Sequence, residues 1–235
     1  MDNFFDGSQE LIGKGAQADV YKYQGYAYKV FKQEYPTEWI AFEKKQQSEA
    51  NRLGLSSIKY YDTEDPKIVK MDLVEGITLE KKLKGAIDEG LAILAEMQRK
   101  VHQASAEGTD IPKLSDCLTP GLLDKEKAVV LPLIENLSGK FDSCVCHLDL
   151  HFLNILIPDD GTEPKLVDWI NARIAPPVFD YARSEVIIHE YAPELIPMYR
   201  KAMASDMEAL GITEDDYAAA IAVCSILRAG EKRLG

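Results

Sequence analysis

The sequence predicts an α+β fold with two lobes, a small N-terminal antiparallel sheet carrying one helix and a larger, mainly helical C-terminal lobe. Three features of the chain predict this arrangement. Short runs rich in Tyr, Val, Phe and Ile, separated by glycine, occupy the first third and are typical of strands. Apolar residues at helical spacing dominate from Thr78 onward. A strand-rich patch over residues 144–168 interrupts these helices.

The N-terminal lobe, residues 1–73, is expected to hold five strands and one helix. Pro36 opens a helical stretch that runs to about Leu53, where Gly54 provides a C-terminal stop. We expect the strands over residues 8–13, 18–23, 26–31, 57–62 and 67–73. Their order along the chain predicts a small sheet with a single helix inserted after its third strand.

Residues 74–77 are the predicted hinge, and residues 78–235 form the C-terminal lobe. The clearest helix of this lobe covers residues 86–106, where apolar side chains recur at helical spacing. Further helices are expected over about residues 120–139 and from Phe179 onward. Within the strand-rich patch, we expect strands over residues 144–148, 154–157 and 164–167.

The composition is that of an ordinary soluble, folded chain. Of its 235 residues, 46% are apolar and 28% are charged, which is ample for a packed core. No apolar run approaches the length of a membrane span, and the acidic N-terminus lacks the basic and apolar regions of a signal peptide. We therefore expect a cytoplasmic protein without a membrane partner.

The net charge of −12 bears on the class of partner. It argues against nucleic-acid binding, because contacts to the phosphate backbone need clustered Lys and Arg. A cationic small molecule is compatible with this charge, but a solvated acidic surface that keeps the protein soluble is the preferred explanation. Oligomeric state cannot be read from the sequence.

Four cysteines are present, at positions 117, 144, 146 and 224, and their spacing makes no two-pair metal pattern. Cys144 and Cys146 lie in an apolar run that is predicted to be a strand. We interpret them as buried structural thiols rather than as a ligand pair or a disulfide.

The segment His147-Leu148-Asp149-Leu150-His151-Phe152-Leu153-Asn154 fits the H-x-D-L-x-x-x-N pattern of kinase catalytic loops. Fourteen residues beyond Asn154, an apolar strand ends in the carboxylate of Asp168. Phosphoryl transfer requires hard oxygen ligands for Mg²⁺, and an amide oxygen with a carboxylate meets that need. The pattern predicts Asn154 and Asp168 as metal ligands, with Asp149 beside them to orient a hydroxyl group and accept its proton.

The same segment permits a different interpretation. His147, Asp149 and His151 form an H-x-D-x-H pattern, and together with Asp168 they offer mixed nitrogen and oxygen ligands suited to Zn²⁺ or Mn²⁺. This would predict a metal-dependent hydrolase. It leaves the glycine-rich segment near the N-terminus unexplained.

That segment, Gly13-Lys14-Gly15-Ala16-Gln17-Ala18-Asp19-Val20, matches G-x-G-x-x-G-x-V except that Ala18 replaces the third glycine. Glycines allow the backbone to approach phosphate oxygens closely. A strand follows the motif, whereas a helix follows the dinucleotide-binding fingerprint. We therefore predict that Gly13 and Gly15 cover the phosphates of a nucleotide.

Ala27 and Lys29 lie on one face of the next predicted strand, because side chains alternate with a period of two. A small residue beside the adenine and an ammonium on the phosphates would share that face. The following helix should supply a carboxylate that holds Lys29. Glu43 is preferred, Glu49 is the alternative, and Glu38 is the weakest candidate.

The chain resembles the aminoglycoside phosphotransferase and choline kinase branch of the protein-kinase-like superfamily over roughly residues 10–185. The catalytic-loop segment, continued by Ile155-Leu156, resembles the H-G-D-L-H-x-x-N-I-L signature of that branch. Val167-Asp168-Trp169 resembles its I-D-W motif, and Glu75-Gly76-Ile77-Thr78-Leu79 its E-G-x-x-L motif after the hinge. Phe179-Asp180-Tyr181-Ala182 resembles its D-P-x-x-D-L-A segment.

This resemblance implies a bilobal protein-kinase-like fold that uses ATP and Mg²⁺. It implies that Asp149 is the catalytic base and that Asn154 and Asp168 hold the metal. The adenine is expected to bind the backbone of Asp72 and Val74. Met71 would lie beside it, and the apolar walls would be Val20, Leu156 and Val167. Two departures from the branch are Leu148, where glycine is usual, and Asn171, near a position that often carries an acid.

Only eleven residues separate Asp168 from Asp180, which leaves no room for the activation segment and peptide platform of a protein kinase. We therefore expect a small-molecule acceptor with a hydroxyl group, such as an aminoglycoside, an amino-alcohol or a sugar. A nucleotide-binding regulatory module without catalysis is the alternative. The acceptor, the preference for ATP over GTP and the role of His151 stay open, whereas Asp180 is expected to brace the catalytic loop.

Overall fold

A computed structural model describes residues 4–233 of the chain. Its N-terminal part is a five-stranded antiparallel sheet with the strand order β1-β2-β3-β5-β4. The strands are β1 Glu10–Lys14, β2 Ala18–Tyr23, β3 Tyr26–Phe31, β4 Tyr60–Tyr61 and β5 Ile68–Asp72. One helix, α1 over Thr37–Arg52, connects β3 to β4.

The hairpin between β2 and β3 shows how the sequence sets the register of this sheet. Tyr23 pairs with Tyr26, so the connection contains only two residues. These are Gln24 and Gly25, which both have positive φ, at 47° and 78°. Two positive φ values define the type I′ turn, whose twist matches that of the strands it joins. The bounds of β2 and β3 coincide with those predicted.

Up to residue 233, where the described structure ends, the C-terminal part combines six α-helices with two small sheets. The helices are α2 Leu79–Leu83, α3 Ile87–His102, α4 Asp124–Lys140, α5 Val178–Tyr191, α6 Ile196–Ala209 and α7 Glu214–Lys232. The strands are β6 Gly76–Thr78, β7 Cys144–Cys146, β8 Ile155–Pro158, β9 Lys165–Leu166 and β10 Arg173–Ala175. One sheet has the order β6-β8-β9, and β7 pairs with β10 in the other.

The large core lies among these helices. Trp169, Tyr181, Tyr199 and Phe179 are its largest buried side chains, and each is essentially inaccessible to solvent. The end of α1 joins this core through Ala50, and the Gln46 side chain donates to the Ala172 carbonyl at 2.8 Å. The helix of the N-terminal part is therefore anchored on the C-terminal part.

Several element bounds differ from the predicted ones. The strand expected over residues 144–148 ends at Cys146, because Leu148 adopts a left-handed conformation that leaves the strand. The helix expected from about residue 120 begins at Asp124. Neither β6 nor β10 was predicted from the sequence, because each has only three residues, which is too short for a periodic pattern. In the described part of the chain, no helix is long and apolar enough to cross a membrane.

Candidate active site

Asp149 and Asn154 meet in the loop between β7 and β8. The Asn154 Nδ2 donates to the Asp149 backbone carbonyl, at 2.8 Å, and to the Asp149 Oδ2, at 2.9 Å. The loop closes through a backbone hydrogen bond from Asn154 to the His151 carbonyl, at 3.0 Å. Because the amide nitrogen faces Asp149, the Asn154 Oδ1 points away from that carboxylate and remains available to a cation.

The Asp149 carboxylate is ionised at neutral pH. Burial raises its pKa, but the contact with His151 and the charge of Arg183 outweigh burial, and the pKa lies below the ordinary value of an aspartate. The His151 Nε2 lies 3.8 Å from the Asp149 Oδ2, and 15% of the Asp149 side chain stays exposed. A carboxylate in this state can accept a hydrogen bond from a hydroxyl group that reaches it.

Asp180, in the first turn of α5, holds the backbone just before Asp149. Its fully buried carboxylate accepts hydrogen bonds from the backbone N–H of His147, at 3.1 Å, and of Leu148, at 2.8 Å. It also contacts the His102 Nε2 at 3.0 Å. Leu148 has a φ of 54°, a left-handed conformation that costs a residue with a side chain about 1–2 kcal/mol. These contacts agree with the bracing role expected of Asp180.

The next turn of α5 supplies two further contacts to the same loop. The Arg183 Nε donates to the Leu148 carbonyl at 3.1 Å, and the Ser184 Oγ donates to the Leu150 carbonyl at 2.7 Å. Neither residue was predicted from the sequence. Arg183 and Ser184 follow Asp180 by three and four positions, so all three side chains lie on one helix face. This spacing could have predicted that they contact the same loop.

Lys29 lies on β3 and reaches two carboxylates. Its Nζ is 2.6 Å from the Glu43 Oε1 and 3.4 Å from the Asp168 Oδ1. The Tyr60 hydroxyl donates to the same Glu43 oxygen at 3.3 Å. Burial lowers the pKa of Lys29, but the charges of Asp168 and Glu43 raise it by more, so the pKa lies above its ordinary value. The ammonium is therefore charged and held between α1 and Asp168.

Glu49 occupies a different place on α1. Its Oε2 accepts hydrogen bonds from Arg52, at 2.8 Å, from the Thr109 hydroxyl, at 2.9 Å, and from the Asp110 backbone, at 3.0 Å. The hydrogen bond from Arg52 is the main reason why the pKa of Glu49 falls to about 2. Glu49 thus connects α1 to the loop after α3, whereas Glu43 lies beside Lys29.

Asp168 follows β9 and begins a 3₁₀ turn over Trp169–Asn171. About a third of its side chain, 36%, is exposed. The Val167 amide donates to the Asn154 carbonyl at 3.1 Å, which brings the Asp168 and Asn154 backbones together. Carboxylate and amide oxygens are the hard ligands that Mg²⁺ accepts, so these two side chains fit a magnesium ion.

The predicted glycine loop is the connection between β1 and β2. The Gly15 amide donates to the Ala18 carbonyl at 2.9 Å, and a Cβ on Gly15 would lie 2.9 Å from that oxygen. Gly13 pairs with Val20, and Val20 pairs in turn with Lys29 on β3. The loop therefore lies directly beside the strand that carries the ammonium.

Most residues expected around the adenine lie along the same sheet and in the segment after it, whereas Leu156 lies on β8 and Val167 directly follows β9. Ala27 is buried and pairs with Met71 across β3 and β5. The Asp72 amide donates to the Lys59 carbonyl at 3.1 Å, so that amide is already engaged within the sheet. The other expected contact residues are half-buried, as an open cleft requires: Val20, Met71, Val74, Leu156 and Val167.

The alternative metal set does not assemble. His147 is fully buried, and its Nε2 lies 3.1 Å from the Val167 carbonyl. Burial lowers the pKa of His147, so its imidazole is neutral at pH 7. Among the side chains of residues 4–233, His147, Asp149 and His151 are not a group whose potential ligand atoms converge. The geometry disfavours the hydrolase interpretation.

A model of the phosphotransferase enzyme family matches residues 8–211 of the chain. The chain belongs to this family. The predicted phosphotransferase class of enzyme is therefore confirmed. No curated protein sequence matches the chain at a significant level.

Solved structures of similar fold include enzymes with different acceptors. The choline kinase LicA of Streptococcus pneumoniae is 20% identical, with a TM-score of 0.64 over 97% of this chain and 86% of that one. An aminoglycoside phosphotransferase of Streptomyces rimosus, in complex with ADP and streptomycin, is 15% identical, with a TM-score of 0.63 over 96% and 95%. An ethanolamine kinase of Plasmodium vivax is 14% identical, with a TM-score of 0.61 over 94% and 72%.

These likenesses confirm the predicted fold class and the resemblance on which it rested. The phosphotransferase departs from the branch signature at Leu148, which keeps the left-handed backbone although it carries a side chain. That side chain is buried, with 6% exposed. Burial of a leucine contributes about 1.5–3 kcal/mol, which offsets the cost of the backbone conformation.

The variants Glu43→Gln and Glu49→Gln of the phosphotransferase test which of the two carboxylates is needed for turnover and which only stabilises the fold. A lost charge-assisted hydrogen bond is worth about 1.5–3 kcal/mol, so we expect Glu43→Gln to lower turnover at least about tenfold. Glu49→Gln should leave turnover unchanged and lower the free energy of unfolding by about 1 kcal/mol at pH 7. Steady-state kinetics and urea unfolding measure the two effects. An equal loss of turnover in both variants would contradict the assignment.

The contribution of Glu49 also has a defined pH dependence. Its folded-state pKa of about 2 lies below the ordinary value of 4.5. A depressed carboxyl pKa contributes stability that is present above the unfolded-state pKa and is lost as the pH falls through the folded-state pKa. The difference in unfolding free energy between the wild type and Glu49→Gln should therefore be constant above about pH 5 and shrink towards pH 2.

Proposed function

We propose that the protein is an ATP- and Mg²⁺-dependent kinase that phosphorylates a hydroxyl group of a small molecule. One observation carries the proposal. The Lys29 ammonium, fixed by Glu43, lies 3.4 Å from Asp168, and the backbone next to Asp168 is bonded to Asn154, which in turn holds Asp149. A phosphate-binding cation, two metal ligands and a base are thereby joined in one continuous set of contacts.

Each residue of this set has a defined task. Lys29 binds phosphate oxygens of the nucleotide, under the loop that contains Gly13 and Gly15. Asn154 and Asp168 hold Mg²⁺, which neutralises charge on the transferring phosphoryl group when it is bound. Asp149 orients the acceptor hydroxyl and takes its proton.

The nucleotide is expected to lie where the sheet meets the C-terminal part. We place the boundary between the two lobes at residues 74–77, and we propose that the Asp72 carbonyl and the Val74 amide bind the adenine edge. The GDP complex of an aminoglycoside 2′-phosphotransferase of the same fold makes GTP a necessary comparison in any binding experiment.

Two features of the sequence support a small-molecule acceptor: the short segment between Asp168 and Asp180, and the net negative charge of the chain. Eleven residues between Asp168 and Asp180 leave no platform for a peptide, and the net charge of −12 is compatible with a cationic acceptor. The solved relatives include a choline kinase and an enzyme bound to streptomycin. We propose an aminoglycoside, an amino-alcohol or a sugar-like hydroxyl compound as the phosphate acceptor.

A turnover assay across acceptors tests the proposal. Wild-type protein with Mg²⁺ and either ATP or GTP is supplied with aminoglycosides, choline-like amines, sugars and nucleosides, and nucleoside diphosphate and phosphorylated product are both measured. Product formation with one acceptor class, abolished by EDTA, supports the proposal. Nucleotide binding without product from any acceptor would favour a non-catalytic module and overturn it.

Asp168→Ala tests the metal assignment separately. We expect it to weaken Mg²⁺-dependent nucleotide binding by at least about tenfold, because a carboxylate ligand and its charge are lost. Binding without Mg²⁺ should change much less. Calorimetric titration with and without the metal gives both values, and Asp142→Asn, an exposed site before β7, serves as the control. Equal weakening in both conditions would place Asp168 outside the metal site.

A further inference from the structure

Three side chains that the proposed reaction does not use converge behind the catalytic loop. Cys144 and Cys146 are two residues apart on β7, so both thiols lie on the same face of the strand. Their Sγ atoms are 3.9 Å apart. His102, at the end of α3, completes the group, and one ligand atom from each of the three lies within 4.8 Å of the others.

The separation of the two sulfurs matches a shared metal ion. With a zinc–sulfur bond of about 2.3 Å and a tetrahedral angle, two thiolates on one Zn²⁺ lie about 3.8 Å apart. The observed 3.9 Å needs almost no adjustment. A disulfide would instead require the sulfurs to approach to about 2.05 Å. The strand geometry thus favours a bridging ion over a direct bond.

The orientation of His102 also fits a metal ligand. Its Nε2 lies 3.0 Å from the Asp180 carboxylate, so a bound metal would take Nδ1. Metal-binding histidines commonly donate their second ring N–H to a carboxylate, which fixes the tautomer and the ring orientation. The ring is further held by an edge contact to Tyr181, with centroids 5.2 Å apart.

We propose that His102, Cys144 and Cys146 bind one soft, thiol-preferring metal ion of the Zn²⁺ class. The two thiols lose their protons to solvent and coordinate as thiolates, and His102 coordinates as the neutral imidazole. A water molecule fills the fourth position. Neither a nitrogen nor a thiolate ligand suits Mg²⁺, so this site is chemically distinct from the one at Asn154 and Asp168.

The thiols have a second arrangement that needs no metal. Cys146 donates to the Ala175 carbonyl at 3.3 Å, and the Cys144 Sγ lies 3.6 Å from the same oxygen. The Cys146 Sγ also lies 3.6 Å from the Pro176 carbonyl. All of these contacts are weak, because thiols are poor donors. This is the metal-free state from which binding would start. If no metal binds, the two cysteines are simply inert buried thiols.

The proposed site is connected to the catalytic loop through Asp180. That carboxylate contacts His102 and binds the backbone amides of His147 and Leu148. An ion that fixes the His102 ring therefore fixes one partner of Asp180. We expect bound metal to raise the unfolding temperature of the protein, since the three ligands converge only in the folded state.

Cobalt titration of the reduced, metal-free, full-length protein tests the site. One equivalent of Co²⁺ should produce thiolate-to-cobalt charge-transfer absorption, and Zn²⁺ should displace it and raise the unfolding temperature. Cys144→Ser and Cys146→Ser should each weaken Co²⁺ binding at least about tenfold. Cys117→Ser and Cys224→Ser are the matched controls and should keep both signals.

Three results would overturn the site. The first is no charge-transfer band in the wild type, which requires no variant to fold. The second is a band that persists in Cys144→Ser at unchanged affinity. The third is a disulfide between Cys144 and Cys146 in the purified wild-type protein, if the protein still fails to bind Co²⁺ after reduction.

Discussion

Asp149→Asn is expected to lower turnover by about 10²–10⁴-fold while nucleotide affinity stays nearly unchanged. The amide keeps the shape of the carboxylate but cannot accept a proton from the acceptor hydroxyl. Its Oδ1 can still accept the hydrogen bond that the Asn154 Nδ2 makes at 2.9 Å, so the loop should persist. Turnover measured at saturating acceptor, together with nucleotide titration in the presence of Mg²⁺, separates chemistry from binding.

The control for this variant is Asp142→Asn, which makes the same chemical change at an exposed position five residues before His147 and outside the set of contacts around Asp149. It should leave both quantities unchanged. Retained turnover in Asp149→Asn with weakened nucleotide binding would show that Asp149 belongs to the metal site and is not the base.

The catalytic and phosphate-binding residues of the site could be predicted from the sequence, because the residues of each motif lie close together in the chain. Asp149 and Asn154 are five residues apart in one loop, and Ala27 with Lys29 shares a strand face by period-two alternation alone. The strands β2 and β3 were also predictable, since an alternating aromatic pattern flanks a Gln-Gly turn. In each case, elements adjacent in sequence are adjacent in space.

Asp180 was expected to brace the catalytic loop, but the atoms that it and its neighbours on α5 contact could not be predicted from the sequence, because these contacts join distant parts of the chain. The Asp180 carboxylate meets amides more than thirty positions earlier, and Arg183 and Ser184 bind carbonyls of the same loop. No periodicity links α5 to that loop. The left-handed conformation of Leu148 could not be predicted either. Leucine rarely adopts it, and here only hydrogen bonds from distant parts of the chain maintain it.

The cysteines illustrate a related limit. An apolar run explains why Cys144 and Cys146 are on a strand, and their identity as buried thiols follows from composition. His102 lies more than forty residues before this run. Its position beside the cysteines depends on how α3 packs against β7. A ligand set with members from two elements becomes visible only when the packing of those elements is known.

Asp180→Asn should lower both the stability of the protein and its turnover. The fully buried carboxylate accepts from the Leu148 amide on Oδ1 and from the His147 amide on Oδ2, and His102 contacts Oδ2 as well. In asparagine, one of these oxygens becomes an NH₂ group, so a buried donor faces another donor. Each unsatisfied buried group costs about 1–3 kcal/mol, and we expect the free energy of unfolding to fall by about 3 kcal/mol.

The loss of turnover has a separate cause, because the Leu148 backbone sets the position of Asp149. With one of the two backbone hydrogen bonds to this side chain lost, the strained left-handed turn should relax, and the carboxylate of Asp149 should lose its fixed position. Asp180 is thus a positioning residue. The kcat of the folded variant, measured well below its unfolding temperature, should fall at least about tenfold while the KM for the nucleotide is retained.

Glu185→Gln provides the matched control for this experiment. Glu185 is also a buried carboxylate on α5, but its oxygens bind Arg200, at 2.6 and 2.8 Å, and the Tyr217 hydroxyl, at 2.8 Å. Those partners belong to α6 and α7, away from the catalytic loop. The variant should lose stability and keep kcat. If both variants lost stability and kcat in the same proportion, Asp180 would act only through the fold, and the link from its carboxylate to the position of Asp149 would be wrong.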